Sequence, residues 1–418
     1  MTAFDDSLKK YARLALRTGL NLQKGQRLII NNASTRGVPL HAAPLVREIV
    51  REAYEMGAPY VDVIWNDEEL LRTRVEHAPE GTFDLFSDWQ IAGLVEVLNG
   101  GGALLTIRSN NPDLLSGLDP ERVGAMQKSY LEKYGPVSTA ITNGLTNWVV
   151  ITASGPHWAA SVFPNVPPEQ AEVKLWEDIF HIVRLDQPDP VAAWEEHVRS
   201  LQARAQYLNG RRYTALKYRG PGTDLTIGLP RGHRWISARE TSASGIEFIA
   251  NLPTEEVFTM PHRDQIEGTV TASLPLSYGG SLMEGFSLTY EKGRVVKLSA
   301  RKGEAVLRRL IETDEGARTL GEVALVPASS PVAQRGHLFF DSLIDENAAS
   351  HLAIGRAYRV NLDDSASLTD EQFMQRGGNI SIAHVDFMVG SPAMDIDGVR
   401  EDGSTEPVMR SGEWAFDI

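Results

Sequence analysis

Apolar positions recur along this chain in two rhythms, and the change from one to the other marks its architecture. Leu8, Tyr11, Ala12 and Ala15 share one face of a helical pattern that opens near the cap region Asp5 and Asp6 and stops at Gly19. A short apolar run over residues 27–30, an amphipathic stretch over 41–56 and a second apolar run over 60–65 follow. By length and period these read as a strand–helix–strand unit. The alternation continues with a helix near 84–98, a strand over 103–107, a helix near 120–133 and a strand over 148–152. Strands separated by amphipathic helices predict a parallel sheet covered by helices. Gly100–Gly102 comes before a strand and lacks dinucleotide-binding spacing, so it reads as a helix cap and turn.

Two polar helical stretches, near 168–183 and 190–208, surround a Pro-rich break at 186–190. Beyond it the rhythm shortens to strand-like runs at 213–218, 224–227, 265–273, 286–290 and 294–299, with one helix near 304–312. The last two strands form an expected hairpin around Glu291-Lys292-Gly293. The expected fold is therefore mixed α/β in two domains. Residues 1–188 would form an N-terminal α/β domain with a largely parallel sheet flanked by helices. Residues 189–418 would form a C-terminal α+β domain rich in antiparallel strands.

Charge and composition narrow the partners. With 41 Lys and Arg against 55 Asp and Glu, the net charge of −14 disfavours nucleic acid and anionic membranes. The absence of cysteine excludes disulfides, thiolate zinc sites, iron–sulfur clusters and a cysteine nucleophile. There is no apolar run of about 18 residues, and the N-terminus has no apolar segment of the signal-peptide kind, so a cytoplasmic protein is expected. The motifs of a serine-hydrolase elbow, a P-loop and a zincin helix are missing as well.

The candidate chemistry lies late in the chain. His384 and Asp386 form H-x-D in the strand-like run 380–389 and so point to one face, away from Val385 and Phe387. They could hold a metal, or simply hydrogen-bond to each other. In DENAASHLAIGRAY, Glu346, His351 and Tyr358 lie five and seven residues apart. Residues 347–350 read as helical, and a capped helix with an exposed histidine is the alternative. Glu255 and Glu256 precede Val257-Phe258, and Glu322 opens the apolar run of TLGEVALVP. Carboxylates there are costly to bury unless paired or bound to a cation, or else they mark solvated strand ends. Together Glu256, Glu322, Glu346, His351, His384 and Asp386 offer two imidazoles and four carboxylates, a set suited to two divalent ions. Four carboxylates packed without cations would repel by about 4 kcal/mol per close pair at an effective dielectric near 20.

The blocks NLPTEEVFTMP, GEVALVP, DENAASHLAIGRAY and NISIAHVDFMVGS, in this order, resemble the thermophilic aminopeptidase family of metallopeptidases, and the resemblance spans essentially the whole chain. It implies a two-metal site (Zn²⁺ or Co²⁺ ahead of Mn²⁺ or Mg²⁺) in the C-terminal domain. By motif position, Glu256, His351, His384 and Asp386 would be ligands, with Glu322 shared by both ions. Glu346 would be a further ligand or a base, and Tyr358 the active-site tyrosine. The resemblance also implies peptide substrates with a free N-terminus and a homodimer. Another metal-dependent amidohydrolase, or a non-enzymatic module holding one structural cation, are the competing readings.

Overall fold

The computed structural model describes residues 2–109, 111–278 and 281–418. The first helix, Ala3–Leu14, is capped by Thr2 and not by Asp5 or Asp6. The Thr2 hydroxyl accepts from the Asp5 N–H while the Asp5 carboxylate accepts from the Thr2 N–H. This reciprocal arrangement uses two backbone donors that a helix start otherwise leaves unpaired. The helix buries Leu8, Tyr11, Ala12 and Leu14 and continues as a π-helical turn to Gly19.

The chain divides into two compact units, the first made of Met1–Glu196 and Arg239–Pro253. Its sheet contains β1 (Leu28–Asn31), β2 (Val61–Val63), β3 (Ala103–Arg108) and β4 (Trp148–Thr152) in the order β2-β1-β3-β4. All three pairings are parallel. Leu28, Ile30, Leu105 and Ile107 are fully buried, as strands covered on both faces require. Helices Ala43–Glu55, Asp88–Asn99 and Pro120–Thr142 connect them, and Gly100 caps the second. The third outruns its expected end at 133 because the helix carries Pro136 without breaking. A helix over Glu69–His77 also lacked a sequence signal: of its residues, Leu71 and Val75 are buried, too few to set a period.

The second unit comprises His197–Ala238 and Thr254–Ile418. The division thus falls inside the helix Pro190–Arg211, and no composition shift marks the return of 239–253 to the first unit. An eight-stranded antiparallel sheet forms one layer of the second unit, with Ile266–Thr271, Thr223–Gly228, Ala215–Gly220 and Asp395–Val399 adjacent along its middle. The hairpin expected around Lys292 closes Ser287–Glu291 onto Arg294–Ser299. A second sheet carries the chemistry. Its strands are β5 (Ile236–Ser237), β6 (Val257–Thr259), β7 (Leu320–Leu325), β8 (His351–Gly355) and β9 (His384–Met388), in the order β9-β8-β7-β6-β5. Among the described residues no helix is long and apolar enough to cross a membrane.

Candidate metal centre

Cross-strand register sorts the residues of β7, β8 and β9 onto two faces. Val323, Leu325, Leu352, Ile354 and Phe387 are completely buried on the apolar face. On the other face Glu322 stands opposite Ala353, and Ala353 opposite Asp386. The next row is Ala324, His351 and Met388, and His384 lies opposite Gly355. Ala353 and Gly355 are the small residues of β8 opposite Glu322, Asp386 and His384.

Glu322 reaches this face because of a bulge. Leu320 pairs with Ile354 on the apolar side, yet Glu322 pairs with Ala353 on the other, a one-residue shift in register. Without that extra residue the period of two would put Leu320 and Glu322 on the same side. Gly321 occupies the bulge, where a Cβ would meet the Arg356 carbonyl oxygen at 2.2 Å.

The acids and imidazoles converge. His351 Nε2 is 3.1 Å from Glu256 Oε2 and 3.5 Å from Glu322 Oε1. His384 Nε2 is 3.7 Å from Glu322 Oε2 and 3.5 Å from Asp386 Oδ1. Two triads result, Glu256–Glu322–His351 and Glu322–His384–Asp386, each with ligand atoms within 4.8 Å of one another, and they share Glu322. Each imidazole turns its Nδ1 to a backbone carbonyl, Ala349 for His351 (3.2 Å) and Arg356 for His384 (2.7 Å). An Nδ1–H donating to those carbonyls leaves the Nε2 lone pair free to face the carboxylates, the tautomer a metal-binding histidine needs. Glu256 Oε2 and Asp386 Oδ1 are buried, and each faces an imidazole Nε2, that of His351 at 3.1 Å and that of His384 at 3.5 Å. Buried acceptors of that kind, two imidazoles and no thiolate fit divalent cations.

Electrostatics point the same way. Burial first, then Glu256 and Asp386, raise the Glu322 carboxyl to about 7, against a hydrogen bond from His351 that lowers it. Burial, followed by Asp386 and Glu256, pushes Glu346 well above the usual carboxylate range. Burial disfavours charge on His351, but hydrogen bonds with Glu256 and Glu322 outweigh it and raise its pKa well above that of ordinary histidine. The cluster thus gathers protons to offset its negative charge, which bound cations would do without them. Tyr358, whose ring centroid is 4.6 Å from that of His384, is held protonated by burial and by the charges of Glu322 and Asp386.

Compared with known proteins, residues 4–414 match the thermophilic metalloprotease family M29. The chain belongs to this family. It is 49% identical to aminopeptidase T of Thermus thermophilus, over 99% of this chain and all of that one. Its identity to aminopeptidase AmpS of Bacillus subtilis is 45%, over the full length of both. The solved structure of wild-type AmpT from Thermus thermophilus superimposes with a TM-score of 0.93 at 47% identity, covering 99% of this chain and all of that one.

Within this M29 protein, the sequence reading of 347–350 as helical is corrected. The helix Ser342–Asp345 ends in one 3₁₀ turn, Glu346–Ala348, and His351 opens a strand. Glu346 belongs to neither triad, but its turn packs against β9, close enough for its charge to couple to Asp386. Glu255 also lies outside both triads, with Oε2 3.4 Å from His197 Nε2. That histidine, in the helix Pro190–Arg211, also approaches the Thr254 carbonyl at 2.8 Å.

Asn347 is the residue that sequence reasoning passed over, although it directly follows Glu346. Buried to 1% exposure, it accepts the Glu255 N–H on Oδ1 at 2.7 Å and donates from Nδ2 to the Leu343 carbonyl at 2.8 Å. Its own carbonyl accepts the Ser330 hydroxyl at 2.7 Å. Asn347 therefore fastens the Glu255–Glu256 segment to the Glu346 turn. Asn347→Ala is expected to weaken metal binding about 10- to 100-fold, the usual cost of losing an outer-shell support. Metal competition against a chromophoric chelator measures this, and unchanged affinity would show that the fastening does not set the ligand geometry.

Proposed function

We propose that this chain removes the N-terminal residue from peptides at a pair of divalent ions held by Glu256, Glu322, His351, His384 and Asp386. M29 membership makes the protein a metallo-aminopeptidase. The observation that carries the two-ion reading is the meeting of two ligand triads at Glu322, one carboxylate with an oxygen for each. Zn²⁺ or Co²⁺ suits the mixed imidazole and carboxylate donors best, ahead of Mn²⁺ or Mg²⁺. The homodimer that the family resemblance implies and the cytoplasmic location expected from the sequence stand as part of this reading.

When bound, such ions would polarise the scissile carbonyl and make a water acidic enough to attack it near neutral pH. The remaining steps fall to side chains. Glu346, whose turn packs against β9 beside Asp386, takes the proton from the attacking water and returns it to the leaving amine. Tyr358 stays a hydrogen-bond donor at any working pH and meets the negative charge that develops on the carbonyl oxygen. The acid-rich face favours a positively charged α-amine.

Aminoacyl p-nitroanilides and their N-acetylated counterparts test this together. Hydrolysis of the free-amine compounds alone is expected, whereas equal rates on both would favour a general amidohydrolase. Tyr358→Phe should lower kcat by about 10²–10³, the scale of one lost oxyanion donor, without altering metal content. A wild-type rate would remove the tyrosine from the mechanism.

A further inference from the structure

Continuing the face of the metal centre one ladder step beyond His351 leads to Val326, Ala349 and Gly390, two residues past Ala324, His351 and Met388 on their strands or strand extensions. A step of two residues along a strand covers about 7 Å. All three residues line a cavity of about 360 Å³. Ala349 also supplies the carbonyl that orients the His351 ring, so the cavity wall and a metal-binding imidazole are directly joined. The volume lies at the small end of the roughly 300–1,000 Å³ range of ligand pockets.

Apolar residues dominate the lining. Small residues such as Ala328 and Ala333 keep the space open, and Val332, Leu338, Met394 and Met409 give it apolar walls. Among the described residues no Asp, Glu, Lys or Arg lines it, and its polar side chains are those of His337, Ser273, Ser350 and Ser391. A lysine or glutamate side chain placed there would lose its hydration without a carboxylate, lysine or arginine to pair with, whereas an aliphatic or aromatic one would be desolvated favourably. Nothing in the chemistry proposed above uses this cavity.

We infer that the cavity receives the side chain of the substrate's N-terminal residue and selects apolar residues of leucine or phenylalanine size. The inference rests on the aminopeptidase reading of the neighbouring site. The free α-amine and scissile carbonyl occupy the acid-rich rows of the sheet, and the side chain projects one step further along the same face. Selectivity then follows from the fit of the side chain, with each methylene in such a pocket commonly worth about 10- to 200-fold in kcat/KM.

The test is kcat/KM on the leucine, phenylalanine, alanine, lysine and glutamate p-nitroanilides, with metal content measured in every sample. The wild type should favour leucine and phenylalanine over lysine and glutamate by roughly tenfold or more. Ala328→Leu, which fills the space, should cut leucine and phenylalanine turnover at least about tenfold while alanine changes less than about threefold. Leu338→Ala, which enlarges it, should raise phenylalanine relative to leucine. A wild type indifferent to side-chain charge, or variants that scale all five substrates by one factor at full metal content, would overturn the inference. Absence of metal-dependent hydrolysis on every free-amine substrate would overturn the reading beneath it instead.

Discussion

Glu322→Gln is expected to abolish tight binding of both ions and to lower kcat/KM roughly a thousandfold. Glu322 is 5% exposed and faces His351 with one oxygen and His384 with the other. An amide of the same shape has no negative charge and a single acceptor, so it cannot serve two cations. Removing one partner from a buried charged cluster typically costs about 3–5 kcal/mol, which corresponds to about 10²–10⁴ in rate when the transition state feels all of it. The metal-free variant should behave in the opposite sense. In the apo protein Glu322 is disfavoured as a carboxylate by burial and by Glu256 and Asp386, so the neutral amide relieves strain and raises Tm. Calorimetry on both forms, beside elemental analysis, reads the two signs. Two retained ions in the variant would remove Glu322 from the shared position.

Chelation of the wild-type protein should abolish hydrolysis and lower Tm by about 8–16 °C. An ion present at a thousand times its Kd stabilises the folded state by about 4 kcal/mol. For a unit of this size, each kcal/mol moves Tm by about 2–4 °C. The loss is steep because the acids that remain, Glu256, Glu322, Asp386 and Glu346, act on one another across a buried face. Returning metal should restore both activity and Tm and release protons, since Glu322 and His351 take up protons in the empty cluster. An apo form that melts and hydrolyses like the holo form would contradict this.

Parts of this architecture were legible in the sequence for identifiable reasons. The parallel strands of the first unit are short apolar runs separated by amphipathic helices, and β4 falls at 148–152 as the pattern predicts. The strand character of His384 and Asp386 followed from polar and apolar alternation, and β9 carries both on one face. His351 was harder to read. The sequence Asn-Ala-Ala-Ser before it favours helix locally, but the pairing of β8 between β7 and β9 overrides that preference. The bulge at Gly321 was invisible to a strict period-two count, although a glycine inside an apolar run is its usual sign. Asn347 left no trace in periodicity, because its work is to satisfy backbone groups of a segment 92 positions away.

The proposed two-ion centre consists of two triads that share the Glu322 carboxylate. Metal titrated back into the apo enzyme, with initial rate followed against equivalents added, tests it most directly. Full activity is expected only at two equivalents per chain; a rate that saturates at one equivalent, or needs none, would rule out a two-ion centre.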